Sequence, residues 1–234
     1  MKKIEFIPVD LMTEKIIDPP VPAASMVPSW FKDLNVFMDQ SIKTFRKPNG
    51  RGNLSAKACV PILDAMVSGY MITLPCDITF VDANIYGHRA IWDVSWQVLE
   101  QHVEEQTQNI GLPEIYETSA LKFLGLWRIK APRGYSLLYT HPFYHFDLPF
   151  ITTTGVVDSD VYDTAMNLPF FIRKDFIGVL KKGTPIAQVI PIKRENWKSQ
   201  IEKYDPDYQF AHNNIKLISS RSYKKRFWNK KSYH

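Results

Sequence analysis

The chain has 234 residues, 45% of them hydrophobic, enough to bury a substantial core without disulfide staples. Its net charge of +5 is uneven: residues 221–234 hold six of the 29 basic residues and no acid, which leaves 23 basic against 24 acidic elsewhere. A dispersed basic stripe along the body is not evident, and polyanion contact is assigned to the tail. Cys59 and Cys76 are too few for a disulfide framework and have no metal-ligand partners at short spacing. There is no run of about 18 apolar residues, and the start lacks the apolar centre of a signal peptide, so the expected setting is the inside of a cell, with no membrane role.

Residues 1–28 carry Pro8, Pro19, Pro20, Pro22 and Pro28, which forbid a long helix and predict an extended arm over the surface. Residues 29–38 place Trp30, Leu34, Phe37 and Met38 at helical spacing, an amphipathic helix for a sheet to cover. The polar, basic segment 40–57 reads as a loop or hairpin tip around Pro48, Gly50 and Gly52. A short helix is predicted over 60–68, opened by Pro61 and closed at Gly69 in a left-handed cap. Alternation at Tyr70, Ile72, Leu74 and again at Ile78 and Phe80 predicts a bent strand pair, with Gly87-His88 turning it into a strand over 89–97.

Residues 99–120 read as a solvated connection, and His102, Glu104 and Glu105 as wet surface rather than a metal site. Residues 121–130 and 135–140 then form strands, followed by the aromatic loop 141–150. Two apolar strands over 164–172 and 186–192 flank a short one over 176–180, predicting a β-meander with Asp158, Ser159 and Asp160 at its corner. Trp197, Ile201 and Tyr204 could form one face of a short helix stopped by Pro206, with an extended segment over 207–220.

Gly155-Val156-Val157-Asp158-Ser159-Asp160, then Lys182-Gly183-Thr184-Pro185-Ile186-Ala187-Gln188-Val189-Ile190, with Pro132-Arg133-Gly134-Tyr135 upstream, resemble motifs of the dUTPase and dCTP deaminase superfamily over residues 132–192. The whole chain also resembles a family found in tailed-phage genomes and some bacteria. The resemblance implies an all-β fold of the β-clip type with an N-terminal arm and a few short helices, and a homo-oligomer, such as a trimer with sites between subunits, in a host cytoplasm or a virion. The expected divisions are an arm, helix and loop over 1–57, a β domain over 58–194, and a helix with a basic aromatic tail over 195–234.

In that superfamily carboxylates hold hydrated Mg2+ on a triphosphate while an aspartate orients the attacking water. Asp158 matches the water-activating aspartate, Gln188 the glutamine of the fourth motif, and Tyr162 the base-stacking tyrosine with one residue too many between. The remaining equipment is missing. Met71 stands where a metal-facing carboxylate belongs, Tyr139-Thr140-His141-Pro142 replaces the arginine-serine pair, and no glycine follows Gly183. The arginine-serine-serine stretch and glutamate of dCTP deaminase are not found either. The resemblance therefore implies a non-catalytic structural or binding module, with Asp158 and Asp160 as a loop accepting backbone hydrogen bonds from the following turn. No cofactor is expected for it. Its alternative is a remodelled nucleoside triphosphate pyrophosphohydrolase using Asp158, Asp160 and Gln188 with Mg2+.

His145-Phe146-Asp147 with His212, and Arg221 nine residues on, mimic the facial triad and co-substrate arginine of iron and 2-oxoglutarate oxygenases, a second alternative. In the tail, Arg221, Lys224, Lys225, Arg226, Lys230 and Lys231 interleave with Tyr223, Phe227, Trp228 and Tyr233. This mixture suits docking on a phage or host protein, or self-association, in preference to nucleic acid, or it packs its aromatics on the body.

Overall fold

The computed structural model describes residues 2–82, 88–107, 109–210 and 223–234. The fold is all-β: fourteen strands in antiparallel sheets among the described residues, with short helices at the margins. Strand β1 (Glu5–Pro8) pairs with β8 (Trp127–Lys130), so Phe6 faces Ile129 across the ladder. The helix α1 (Leu11–Ile16) starts where the Asp10 carboxylate accepts from the Thr13 amide at 2.7 Å, an N-cap on its first turn. Strand β2 (Val21–Pro22) then pairs with β3 (Tyr70–Thr73). The opening residues are stitched into two sheets, and Ile17 and Ala23 are buried, so they are more than a surface arm.

The helix expected over 29–38 stops after one turn, α2 (Ser29–Asp33). Phe37 instead bridges Leu54, and the Met38 amide donates to Asn53 O, so tertiary pairing overrides the helical spacing. That pairing closes the predicted hairpin, whose buried Asn53 donates to the carbonyls of Asp39, Ile42 and Thr44. Helix α3 (Val60–Val67) follows the sequence signals, with Pro61 in its first turn and Gly69 at φ +72°. A Cβ on Gly69 would stand 1.9 Å from Val189 O, so strand and helix end approach over bare backbone.

Strands β4 (Ile78–Asp82) and β5 (His88–Trp92) form the predicted hairpin, with its Gly87 turn outside the described residues, and β5 ends at Trp92 rather than 97. Strand β6 (Leu99–Gln101) lies within the supposed irregular connection and pairs with β7 (Leu121–Phe123). The single strand expected over 121–130 is two, in different sheets, split at Gly125, where a Cβ would come within 2.6 Å of Met166 O.

Strand β9 (Tyr135–Thr140) matches its prediction, and β10 (Phe150–Thr152) and β11 (Gly155–Val157) follow. The predicted meander is not one. Strand β12 (Leu168–Ile172) lies between β10 and β7, β13 (Gly178–Leu180) edges the β4–β5 hairpin, and β14 (Pro185–Lys193) is flanked by β9 and β3. Turn signals mark where a strand ends, but partner choice depends on which apolar face must meet which.

These sheets enclose one core. Phe123 stacks on Phe170 with centroids 3.9 Å apart, and Phe150 meets both rings edge-on, a preferred aromatic arrangement. Ile78, Phe80, Leu137, Leu180, Ile186 and Val189 complete it from the other sheets. Residues 194–205 form no regular structure, and Trp197, Ile201 and Tyr204 are exposed, so the helix expected there does not form. A helical turn appears instead at 206–210, where Pro206 opens it and the Asp205 carboxylate accepts from the Asp207 and Tyr208 amides. The rest of the supposed extended segment lies outside the described residues. Among the described residues no helix is long and apolar enough to cross a membrane.

Candidate functional site

The corner after β11 is held by residues from three places in the chain. The Val161 and Tyr162 amides both donate to the Asp158 carbonyl, which curls the backbone so that the carboxylates of Asp158 and Asp160 face the start of β9. Asp158 Oδ1 accepts from Ser136 Oγ at 2.5 Å, with Arg194 Nη1 3.2 Å away. Asp160 accepts from the Gly134 amide at 2.8 Å and from both terminal nitrogens of Arg194, Nη1 at 2.7 Å. The Arg194 guanidinium, then the Gly134 amide, hold Asp160 down to about 2, and Arg194 itself is pushed up by the same contact.

Asp160 thus bonds to the turn that precedes β9 and Asp158 to Ser136 within β9, rather than to the turn that follows them. Ladder geometry explains it: β9 and β14 are paired as far as Lys193 opposite Tyr135, so Arg194 emerges beside Gly134 and donates its own amide to that carbonyl. The Asp160 side chain is 3% exposed, whereas that of Asp158 is 57% exposed. Tyr162 stands in solvent beyond them.

Gln188 is elsewhere. It is buried, its Oε1 accepting from the Phe143 amide at 3.0 Å and its Nε2 donating to the carbonyls of Ala65 (2.9 Å) and Ser68 (2.6 Å). It pairs with Thr140 at one end of β9, whereas Ser136, which holds Asp158, pairs with Ile192 four residues away. That is roughly 13 Å along the strand. Within one chain the two resemblance residues do not converge, and the amide joins β14 to the end of α3 and the loop after β9.

His145 and Asp147 line a cleft of about 370 Å³ with Ser25 to Trp30. His145 Nε2 is bonded to Met26 O at 3.0 Å, and burial lowers its imidazole against the opposing pull of Asp147. Among the described residues no three His, Cys, Asp or Glu side chains converge as a metal site, and His212 and Arg221 lie outside those residues. Tyr144, just before His145, takes φ 66°, held by Trp30 Nε1 on its carbonyl at 2.9 Å.

The tail packs on the body. Trp228 Nε1 donates to the Asp64 carboxylate at 2.9 Å, Lys231 Nζ reaches the same group at 2.5 Å, and Tyr233 meets Tyr70 edge-on at 5.9 Å. Lys224, Lys225, Arg226 and Phe227 lie in the helical turn Tyr223–Phe227. Sequence reasoning missed Arg194 and Asp64. Asp64 did carry a signal, as the sole charge in an otherwise apolar helix VPILDAMV. Arg194 carried none, because its role follows from strand register.

No family model matches the sequence, and no curated protein does. Among solved structures, the fold is compared with a mutant dUTPase from phage phi11 of S. aureus at 11% identity and a TM-score of 0.31, over 72% of this chain and 95% of that one.

Proposed function

We propose that this chain is a non-catalytic, dUTPase-like β module of phage origin that works by assembly, associating with further copies of itself. One observation carries the reading: Asp158, Asp160 and Gln188 of the superfamily motifs are engaged in holding the fold, with Tyr162 left in solvent. Asp160 is buried against Arg194 and Gly134, Asp158 is held by Ser136 and Arg194, and Gln188 spends its amide on three backbone groups. A guanidinium lying between the two aspartates occupies the position a cation would need. Meanwhile the segment 194–205 presents Trp197, Ile201 and Tyr204 almost wholly to solvent, an apolar display suited to a partner surface.

The exposed Asp158 carboxylate favours one second reading, a pyrophosphohydrolase with a remodelled site and Mg2+. Incubation with Mg2+ and each deoxynucleoside triphosphate, with pyrophosphate measured, separates them. The assembly reading expects no turnover and a mass in solution above that of one chain. Pyrophosphate release that disappears in Asp158→Asn would establish the hydrolase instead.

A further inference from the structure

Two basic stretches that are far apart in sequence meet at the start of α3. Lys57 and residues 58–61 form one wall of an open cleft of about 670 Å³, and Tyr223, Lys224 and Lys225 form the other. Behind Lys57 stands the hairpin closed by the Phe37 to Leu54 bridge and by the Ser55 amide on Val36 O. Its segment 40–57 carries Lys43, Arg46, Lys47, Arg51 and Lys57 with no acid, and 223–234 carries five basic residues with none. Folding therefore brings Lys57, Lys224 and Lys225 to one cleft, while Lys47 pairs with Asp39 and Lys231 with Asp64.

The tail is fixed there by Trp228 and Lys231 on Asp64, so its charges are held in place. Its aromatic residues divide into two sets. Trp228 and Tyr233 are turned onto the body, whereas Tyr223 and Phe227 are 46% and 54% exposed on the turn that bears Lys224 and Lys225. Those two lysines make no ion pair among the described residues, Lys224 Nζ standing 5.8 Å from the centre of the Trp228 ring, whereas Lys57 Nζ is held by the Phe31 and Lys32 carbonyls and lies over the Phe31 ring.

We propose that this cleft binds single-stranded nucleic acid, with Lys224 and Lys225 facing the phosphates and Tyr223 and Phe227 stacking on unpaired bases. Charge alone would suit any polyanion, but two exposed rings beside the lysines match a ligand that alternates phosphates with flat faces. A duplex keeps those faces inside its own stack, and an acidic peptide has none.

The test is fluorescence anisotropy of a labelled oligothymidine on the full chain. With two phosphates neutralised, affinity falls roughly sevenfold between about 50 mM and about 200 mM salt. Lys224→Glu with Lys225→Glu lowers affinity at least tenfold and flattens the salt dependence. Tyr223→Ala with Phe227→Ala keeps the salt slope and loses roughly tenfold to a hundredfold. All four side chains are on the surface, so unchanged thermal unfolding verifies the fold of each variant. Absence of binding at low salt, indifference to both double variants, or equal competition by duplex DNA or polyglutamate at matched charge would overturn the proposal.

Discussion

Arg194, the first residue past β14, lies between Asp158 and Asp160 and bonds to both, Nη1 standing 2.7 Å from Asp160 Oδ1 and 3.2 Å from Asp158 Oδ1. Its amide also donates to Gly134 O, so one residue ties the end of the longest strand to the turn before β9 and to the corner after β11.

That clamp depends on ionisation. Asp160 ionises at about 2 in the folded chain and near 3.8 when free, so the folded state binds protons less readily than the unfolded one. A depressed carboxylate contributes stability that is complete above the unfolded value and is lost as pH falls through the folded one. Asp160→Asn should therefore melt below the wild type at pH 7, with the gap closing between about pH 4 and pH 2. Thermal unfolding across that range checks it, and a gap that stays constant down to pH 2 would mean that the charge of Asp160 does not stabilise the fold.

Gln188 makes a separate prediction. Gln188→Met keeps the shape but leaves the Phe143 amide and the Ala65 and Ser68 carbonyls without their side-chain partner in a buried place. An unsatisfied buried group costs about 1–3 kcal/mol, so the loss should be roughly 3 kcal/mol in denaturant unfolding, with no new cavity to blame. A variant as stable as the wild type would show that water reaches these groups.

How far the sequence discloses this architecture differs from residue to residue. Helix α3 is legible because Pro61 and Gly69 punctuate it locally, and β9 because its apolar run is bounded by Gly134 and Pro142. The partners of β12, β13 and β14 are not legible, since a turn between two strands does not say that they pair. Of the resemblance residues, Asp158 and Asp160 do share a corner. What occupies that corner is Arg194, which comes from 34 residues beyond Asp160 and is placed by ladder register alone. Trp197, Ile201 and Tyr204 have helical spacing, but with no face to cover them the spacing forms no helix.

Gly69 and Gly134 both have positive φ, +72° and +83°, yet their surroundings differ. An alanine at 134 meets open space and carries only the left-handed strain of its Cβ against its own backbone, about 1–2 kcal/mol. At 69 the new methyl would collide with Val189 O, so α3 and β14 must separate as well, and Gly69→Ala should cost roughly 3 kcal/mol or more. Parallel melts of the two variants test the ranking, and equal losses would mean that the close approach at Gly69 contributes nothing.

Asp64 anchors the tail through Trp228 and Lys231. In Asp64→Ala the tail should detach and trypsin should cut after Lys230 or Lys231 at least roughly tenfold faster, with the body still resistant. Unchanged cleavage would show that Tyr233 on Tyr70 suffices to hold it.

The assembly reading is most directly exposed through the segment 194–205. Twelve residues without regular structure can span up to about 40 Å, enough to lay Trp197, Ile201 and Tyr204 on a second copy. Those side chains are 87%, 98% and 77% exposed, so within one chain their removal deletes little packing. Trp197→Ser, Ile201→Ser and Tyr204→Ser together should leave the unfolding temperature of the dilute chain nearly unchanged while lowering the mass in solution to that of one chain. Sedimentation of both proteins over a range of concentrations measures it. A wild type that stays monomeric at the highest concentration removes the assembly role. An oligomer that survives the triple substitution moves its contact to another surface, and the outward row of Val179, Thr79 and Ile91 across β13, β4 and β5 is the next to change.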